Sequence, residues 1–355
     1  MKNLFLVILL VLTFGRCKKD PDKIKPIRVE TVAIIKGVDA SYLPQIRKSK
    51  VVTFNREGQP EDMLLTFKNE GINTIRLRLW KEAANGESGL AEVAALANEI
   101  KALGMKVWLT IHYSDTWADP GSQIKPKQWG NADFVALKDS VYAYTALVVS
   151  TIAPDYIQIG NEINNGFIYP EGSRNYLNQM KDLINQGIKA TREANPKTKI
   201  MIHFAGTENA SAFFGSVSEL DFDLIALSYY PQWHGKDLVK LSSEMESLSK
   251  QINKPVVIAE TSYPFTFNWN DQTHNVLGLQ EQILNEYPPS AQGQLDYLKE
   301  IRRISTSSKS ALGFCYWGAE WIAFRGKNAT DGSSWENQAL WDFNNKALPV
   351  FDAFH

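Results

Sequence analysis

Cysteine is scarce in this chain: Cys17 and Cys315 are the two among 355 residues. So few exclude a disulfide framework, and the fold has to rest on its own apolar core. Histidine is nearly as thin. The five are scattered, none falls into an HExxH or similar cluster, and a catalytic zinc is not expected. Excess charge of either sign is missing too. With 38 basic against 39 acidic residues the net charge is −1, which supplies no basic field for nucleic acid and no acidic surplus for cations. No internal repeat beyond a strand–helix unit, no low-complexity tract and no dividing linker is visible. These absences leave a single folded domain whose partner is neutral or small.

A long apolar run is also lacking. Leu4–Phe14, after the basic Lys2, has signal-peptide length and is too short to span a bilayer as a helix. It closes on Gly15-Arg16-Cys17, followed by the polar, proline-containing stretch Lys18–Pro26. The arrangement resembles a bacterial lipoprotein signal, in which the cysteine becomes the lipidated first residue of the mature protein. Residues 1–17 are therefore expected to be a signal segment, 18–31 a flexible linker and 32–355 the catalytic domain. Export and a lipid anchor at the bacterial cell envelope or surface follow; a secreted or periplasmic protein, cleaved elsewhere, is the alternative. Membrane contact is expected through the anchor alone, and the default is a monomer. Cys315 lies in an apolar segment and reads as a small buried hydrophobe.

What the chain does have is alternation. Strand-like runs occupy Ala33–Asp39, Thr74–Trp80, Lys106–Ser114, Tyr156–Glu162, Lys199–Gly206, Leu224–Pro231, Pro255–Pro264 and Leu312–Trp321. Helical periodicity fills Leu90–Leu103, closed by Gly104, Ser173–Asn195, stopped by Pro196, and also Lys236–Ile252 and Ala291–Ile304. Strands alternating with helices predict a parallel sheet, and eight such units predict a closed (β/α)8 TIM barrel with long βα loops. An open doubly wound sheet would carry a glycine-rich turn after the first strand, but here that strand runs into Gly37-Val38-Asp39-Ala40.

Barrel chemistry lies at the carboxyl ends of the strands. Those ends read Asp39, Arg76 and Arg78, His112, Asn161-Glu162, His203, Tyr229-Tyr230, Glu260 and Trp317. Two entries in that series are unusual. Tyr156–Glu162 and Pro255–Thr261 are apolar strands that finish on glutamate, a poor strand residue that is costly to bury alone. Facing each other from the fourth and seventh strands, Glu162 and Glu260 fit glycoside hydrolysis, which needs one carboxylic acid and one carboxylate. A separation of about 5–5.5 Å gives retention and about 6.5–9.5 Å inversion. Singly, Glu162 could cap the following helix and Glu260 could pair with Arg76; together, with Asn161 and aromatic loops around them, they favour catalysis. The 10 Trp, 13 Tyr and 17 Phe serve a core, and are also what sugar-ring faces pack against.

The Asn-Glu and Glu positions resemble the large clan of retaining (β/α)8 glycosidases. A narrower resemblance comes from the string His112-Tyr113-Ser114-Asp115-Thr116-Trp117-Ala118-Asp119-Pro120-Gly121, which is similar to glycoside hydrolase family 53, the arabinogalactan endo-β-1,4-galactanases. In family order stand Gly37–Ser41, Arg76–Trp80, Gly160–Ile163, Ser228–Pro231, Glu260–Pro264 and Tyr316–Trp321, from about residue 35 to 345. The resemblance implies Glu162 as acid/base, Glu260 as nucleophile and a covalent galactosyl-enzyme. It implies Asn161 on the sugar 2-hydroxyl, with Arg76 keeping Glu260 ionised. The implied substrate is β-1,4-galactan of pectin, cut internally. Trp80, Trp117, Trp233, Trp317 and Trp321 are then candidates for stacking, and Asp39, His112, Asp115, Tyr229 and His234 for hydroxyl contacts. No cofactor is implied for catalysis. Relatives can carry a structural calcium after the seventh strand, where Asp271 and Asn275 offer hard oxygen ligands. The rival readings are a galactan-binding lipoprotein without catalysis, to which two opposed carboxylates would be of no use, and a mannanase, xylanase or cellulase of the same clan.

Overall fold

Short runs of branched and aromatic residues pair as strands, and amphipathic segments between them turn back to cover the sheet. The computed structural model describes residues 33–355. The expected signal segment and linker lie outside the described residues. Strands β1 (Ile35–Asp39), β2 (Thr74–Leu79), β3 (Lys106–Ile111), β4 (Tyr156–Ile159), β5 (Lys199–Ala205), β6 (Leu224–Ser228), β7 (Val256–Thr261) and β8 (Ala311–Tyr316) pair in parallel in that order. The pairs Ile35–Gly313 and Gly37–Cys315 return β8 to β1, so the sheet closes into the expected (β/α)8 barrel.

The outer layer holds α1 (Leu43–Ser49), α2 (Met63–Asn69), α3 (Leu90–Ala102), α4 (Phe134–Ile152), α5 (Leu177–Ala194), α6 (Ala210–Ser216), α8 (Leu238–Ile252) and α9 (Ala291–Ser305), while the single turn α7 (Pro231–His234) sits at the barrel mouth. Local chemistry sets their ends. Asp133 and Asp237 accept N–H bonds at the starts of α4 and α8, and Gly104 takes a left-handed φ of 74° just past α3. The helix expected over 173–195 opens as a tight turn at Arg174–Tyr176, capped by the Ser173 hydroxyl, before α5 proper begins. In α4 the buried residues Leu137, Val141, Tyr144, Val148, Val149 and Ile152 recur every three or four positions and pack against the barrel wall.

Two apolar clusters result. The larger fills the shell between strands and helices. The smaller, with Ile35, Trp108, Tyr156, Met201, Leu224 and Leu312, plugs the barrel interior. Interior positions further along the strands turn polar: Arg76 Nε and Thr110 Oγ1 both donate to Gln158 Oε1, at 2.8 and 2.6 Å. The expected strands overrun the observed ones at this end. β4 stops at Ile159 rather than Glu162, β6 at Ser228 rather than Pro231, and β8 at Tyr316 rather than Trp321. Aromatic composition continues past each ladder because those residues line the mouth instead of the sheet.

Candidate active site

The chain has to leave its strands irregularly to aim two glutamates at one point. After β4, Gly160 adopts φ 84°, where a side chain would be strained, and a Cβ there would lie 2.5 Å from Ile163 Cγ2. Glu162 itself sits at φ 46°, an uncommon conformation for a residue with a side chain. That double kink sends Asn161 and Glu162 both over the mouth. On β7 the device is a bulge. Val257 and Ala259 face the barrel interior, which by alternation would turn Glu260 outward. The register against β6 passes from Leu227–Ile258 to Ser228–Glu260, so one extra residue returns Glu260 to the inside.

Arg76, fully buried on β2, ties the site together. It donates through Nη2 to Glu260 Oε1 at 2.6 Å and Asn161 Oδ1 at 2.9 Å, and through Nη1 to Asp39 Oδ2 at 2.9 Å. Burial works against its charge, but Glu260 and Asp39 outweigh that and raise its pKa further. Tyr230 OH donates to the other Glu260 oxygen at 3.0 Å. Glu162, partly open to the cleft, instead accepts the Ser228 hydroxyl at 2.5 Å. A carboxyl oxygen of each glutamate and a nitrogen of His203 lie within 4.8 Å of one another.

The two carboxyls differ in proton affinity. Burial raises both. Glu260 gets part of that back from the Arg76 charge and from the Tyr230 and Arg76 hydrogen bonds. Glu162 has no guanidinium contact, and burial together with the Glu260 charge pushes it up to about 8. The proton of the pair therefore sits on Glu162 near neutrality while Glu260 is ionised. This is one acid and one carboxylate, closer than the separation of about 6.5–9.5 Å that inversion needs.

The cleft has a volume of about 590 Å³. Trp117, Trp233, Trp317, Trp321 and Trp335 form its walls; Trp321 and Trp335 are nearly coplanar in orientation, 8° apart, with centroids separated by 6.4 Å. Two histidines contribute donors. His112 Nδ1 accepts Ala118 N–H at 3.1 Å and His234 Nδ1 accepts Tyr230 N–H at 3.0 Å, so each neutral ring keeps its Nε2 hydrogen. Burial holds both neutral; Arg78 and Arg76 add to this at His112, and His234 falls to about 4.

Of the residues singled out from sequence, Arg76, His112, Trp117, Asn161, Glu162, Trp233, His234, Glu260, Trp317 and Trp321 line this cleft. Four stand behind it. Asp39 is buried against Arg76, and Trp80 stacks on the Arg78 guanidinium, whose centre is 4.3 Å from its ring. Asp115 braces its loop through Glu82 and Lys127 N–H groups, and Tyr229 OH donates to Gly235 O at 2.7 Å. Sequence reasoning passed over Tyr230 in favour of its neighbour. The signal was present: Tyr230 shares the strand parity of the inward Ser228. Trp335 and Ser334, also in the wall, come from a loop with no periodicity to reveal them.

After β7, Asp271 Oδ2 and Asn275 Oδ1 are buried acceptors without a hydrogen-bond partner. A Cβ at Gly332 would come within 2.2 Å of Asp271 Oδ2, so glycine keeps open the space this oxygen faces. Unpartnered hard oxygens of this kind fit a calcium ion.

The chain is similar to known proteins along most of its length. The model of glycosyl hydrolase family 53 matches residues 35–354. An arabinogalactan endo-β-1,4-galactanase of Cellvibrio japonicus is 34% identical over 337 residues, covering 89% of each chain. An endo-β-1,4-galactanase of Bacillus subtilis is 31% identical, covering 90% of this chain and 85% of that protein. The solved GH53 catalytic domain of Ignisphaera aggregans superposes with a TM-score of 0.86 at 36% identity, covering 94% of this chain and 99% of that one.

Proposed function

This chain belongs to glycosyl hydrolase family 53, and from that membership and its paired glutamates we propose that it cuts β-1,4-galactan internally with retention of configuration. The substrate follows the names of its 31–34% identical relatives. The observation that carries the mechanism is the approach of the two carboxyls within 4.8 Å, one protonated and one ionised. Glu260 attacks the anomeric carbon as Glu162 gives its proton to the glycosidic oxygen, and the bond to the leaving chain breaks. The product is a galactosyl ester on Glu260. Esterification removes the Glu260 charge that helps hold the proton on Glu162. Glu162 then takes a proton from water, which attacks the anomeric carbon and releases Glu260.

Asn161 has Oδ1 committed to Arg76 and one Nδ2 hydrogen to Ala118 O at 2.8 Å. Its second N–H is left for the 2-hydroxyl of the reacting sugar, a contact that strengthens in the transition state. The two carboxyls supply nucleophile and proton, so the reaction as written calls for no cofactor. Incubation with linear β-1,4-galactan, followed by chromatography and proton NMR, tests this. Short oligosaccharides appearing first as β-anomers are expected. α-Anomers would overturn retention; cleavage of mannan, xylan or cellulose instead would overturn the substrate; binding without cleavage would leave a carbohydrate-binding protein.

Two further features belong to this reading. Export and lipidation at Cys17, with 18–31 as a tether to a monomeric domain at 32–355, are supported by the Leu4–Cys17 pattern; Cys17→Ala should move the protein from the membrane to the soluble fraction. Asp271 and Asn275 hold a structural calcium, supported by their unpartnered oxygens. Chelation should then lower Tm, with recovery on adding Ca²⁺.

A further inference from the structure

Behind Glu162, outside the cleft, lie two fully buried polar side chains that the reaction as written does not use: His203 at the end of β5 and Ser228 at the end of β6. The Glu162 N–H points at His203 Nδ1 across 3.3 Å. A donor aimed at that nitrogen excludes a proton on it, so the ring carries its hydrogen on Nε2. Asn161 Oδ1, 3.1 Å from the same nitrogen, is then a second acceptor whose own proton comes from Arg76. His203 Nε2–H donates to Ser228 Oγ at 2.9 Å, and Ser228 turns its hydroxyl hydrogen onto Glu162 Oε1 at 2.5 Å. The backbone reinforces the pairing, since Ile163 N–H donates to His203 O at 3.0 Å.

We propose that His203 is a positioning residue for the acid/base: through Ser228 it makes Glu162 Oε1 a permanent acceptor, so that Oε2 alone carries and recovers the catalytic proton. The inference rests on the acid/base role of Glu162 given above. With the chain reversed, the proton would sit on Oε1 facing Ser228, turned away from the glycosidic oxygen. With the chain as found, the same hydroxyl steadies the carboxylate while Oε2 takes a proton from water. His203 suits this because burial, with Arg76, His112 and His234 nearby, keeps it neutral and its tautomer fixed.

The charged groups facing Glu162 are Glu260 from β7, Arg76 from β2 and Asp119 from the loop after β3. Facing His203 are the Arg76 cation and the neutral rings of His112 and His234. Ser228→Ala leaves every one of them in place and deletes one oxygen. It should move the alkaline limb of kcat/KM to higher pH by about one unit, the worth of a hydrogen bond to a charged group. Turnover of galactan should fall about tenfold, with little loss on an aryl β-galactobioside whose leaving group needs no proton. His203→Phe, which fills the space without a donor, should behave alike, while His203→Gln, which restores an N–H, should recover most of the activity. The double variant with Ser228→Ala and His203→Phe should be no worse than Ser228→Ala alone. An unmoved limb in folded Ser228→Ala, equal losses on both substrates, or additive losses would overturn the proposal. Ser228→Ala decides the question if the histidine variants do not fold. A wild-type enzyme inert on both substrates would instead overturn the acid/base reading on which this one stands.

Discussion

The mouths of β4 and β7 each present one glutamate to the same cleft, yet they treat it in opposite ways. At β7, Glu260 is held by Arg76 and Tyr230 on its two oxygens, a rigid grip that stabilises the charge. At β4, Glu162 is offered one hydroxyl and otherwise the apolar and acidic surroundings of the cleft. The side chains are chemically identical; a guanidinium on one side and its absence on the other suit one to the nucleophile's role proposed above and the other to the acid's. Role is therefore a property of the neighbours, and changes on either side should erase or exaggerate the asymmetry.

The largest effect is expected at β7. Glu260→Ala should lower kcat on galactan by about 10⁴–10⁶-fold with the fold retained, and azide should partly restore turnover by taking the nucleophile's place. Full activity in that variant would remove Glu260 from the mechanism. At β4, Glu162→Ala should cost about 10²–10⁴-fold on galactan and far less on activated aryl galactosides, judged by steady-state kinetics on both. Equal losses would argue against the acid role.

Arg76→Met attacks the difference itself. With its cation gone, Glu260 gains proton affinity, so the acidic limb of kcat/KM should move to higher pH. Two carboxylates left buried without their cation should also cost about 3–5 kcal/mol of stability, read by denaturant titration. The smallest effect concerns the burden that Glu162 places on the fold. Its carboxyl titrates near 4.5 when unfolded and about 8 when folded, so between those values the folded chain holds a proton that the unfolded chain has lost. Rising pH then favours unfolding across that window, and the penalty is absent below it. Glu162→Gln should raise Tm at pH 7, by about 2–4 °C per kcal/mol relieved, and leave it unchanged at pH 4. An equal gain at both pH values would place its cause elsewhere.

Much of this was legible in the sequence. Eight runs of branched residues with helical segments between them state a barrel, because period and chain order are local properties. Glu162 and Glu260 stood out because a charge at the end of an apolar strand has few structural uses. Strand ends were less legible, since Tyr229–Pro231 and Trp317–Trp321 are as strand-like in composition as the strands they follow. Choosing Tyr230 over Tyr229 required knowing which face of β6 points inward, a single-residue distinction that composition does not make. Trp335 reaches the cleft from a loop whose path depends on the whole barrel. His203 was visible as a strand-end residue, but its link to Ser228 joins two strands and exists only in three dimensions.

The bulge in β7 makes the catalytic outcome depend on counting residues as well as on their identity. Pulling this strand into plain alternation at constant length would leave both glutamates in the chain and every cleft side chain unaltered in type. It would also turn Glu260, one place after the inward Ala259, out of the barrel and into the helical shell. For anyone aligning distant relatives, a one-position gap just before Glu260 marks a bulge gained or lost, and pairing with Ser228 decides whether the glutamate still faces the cleft.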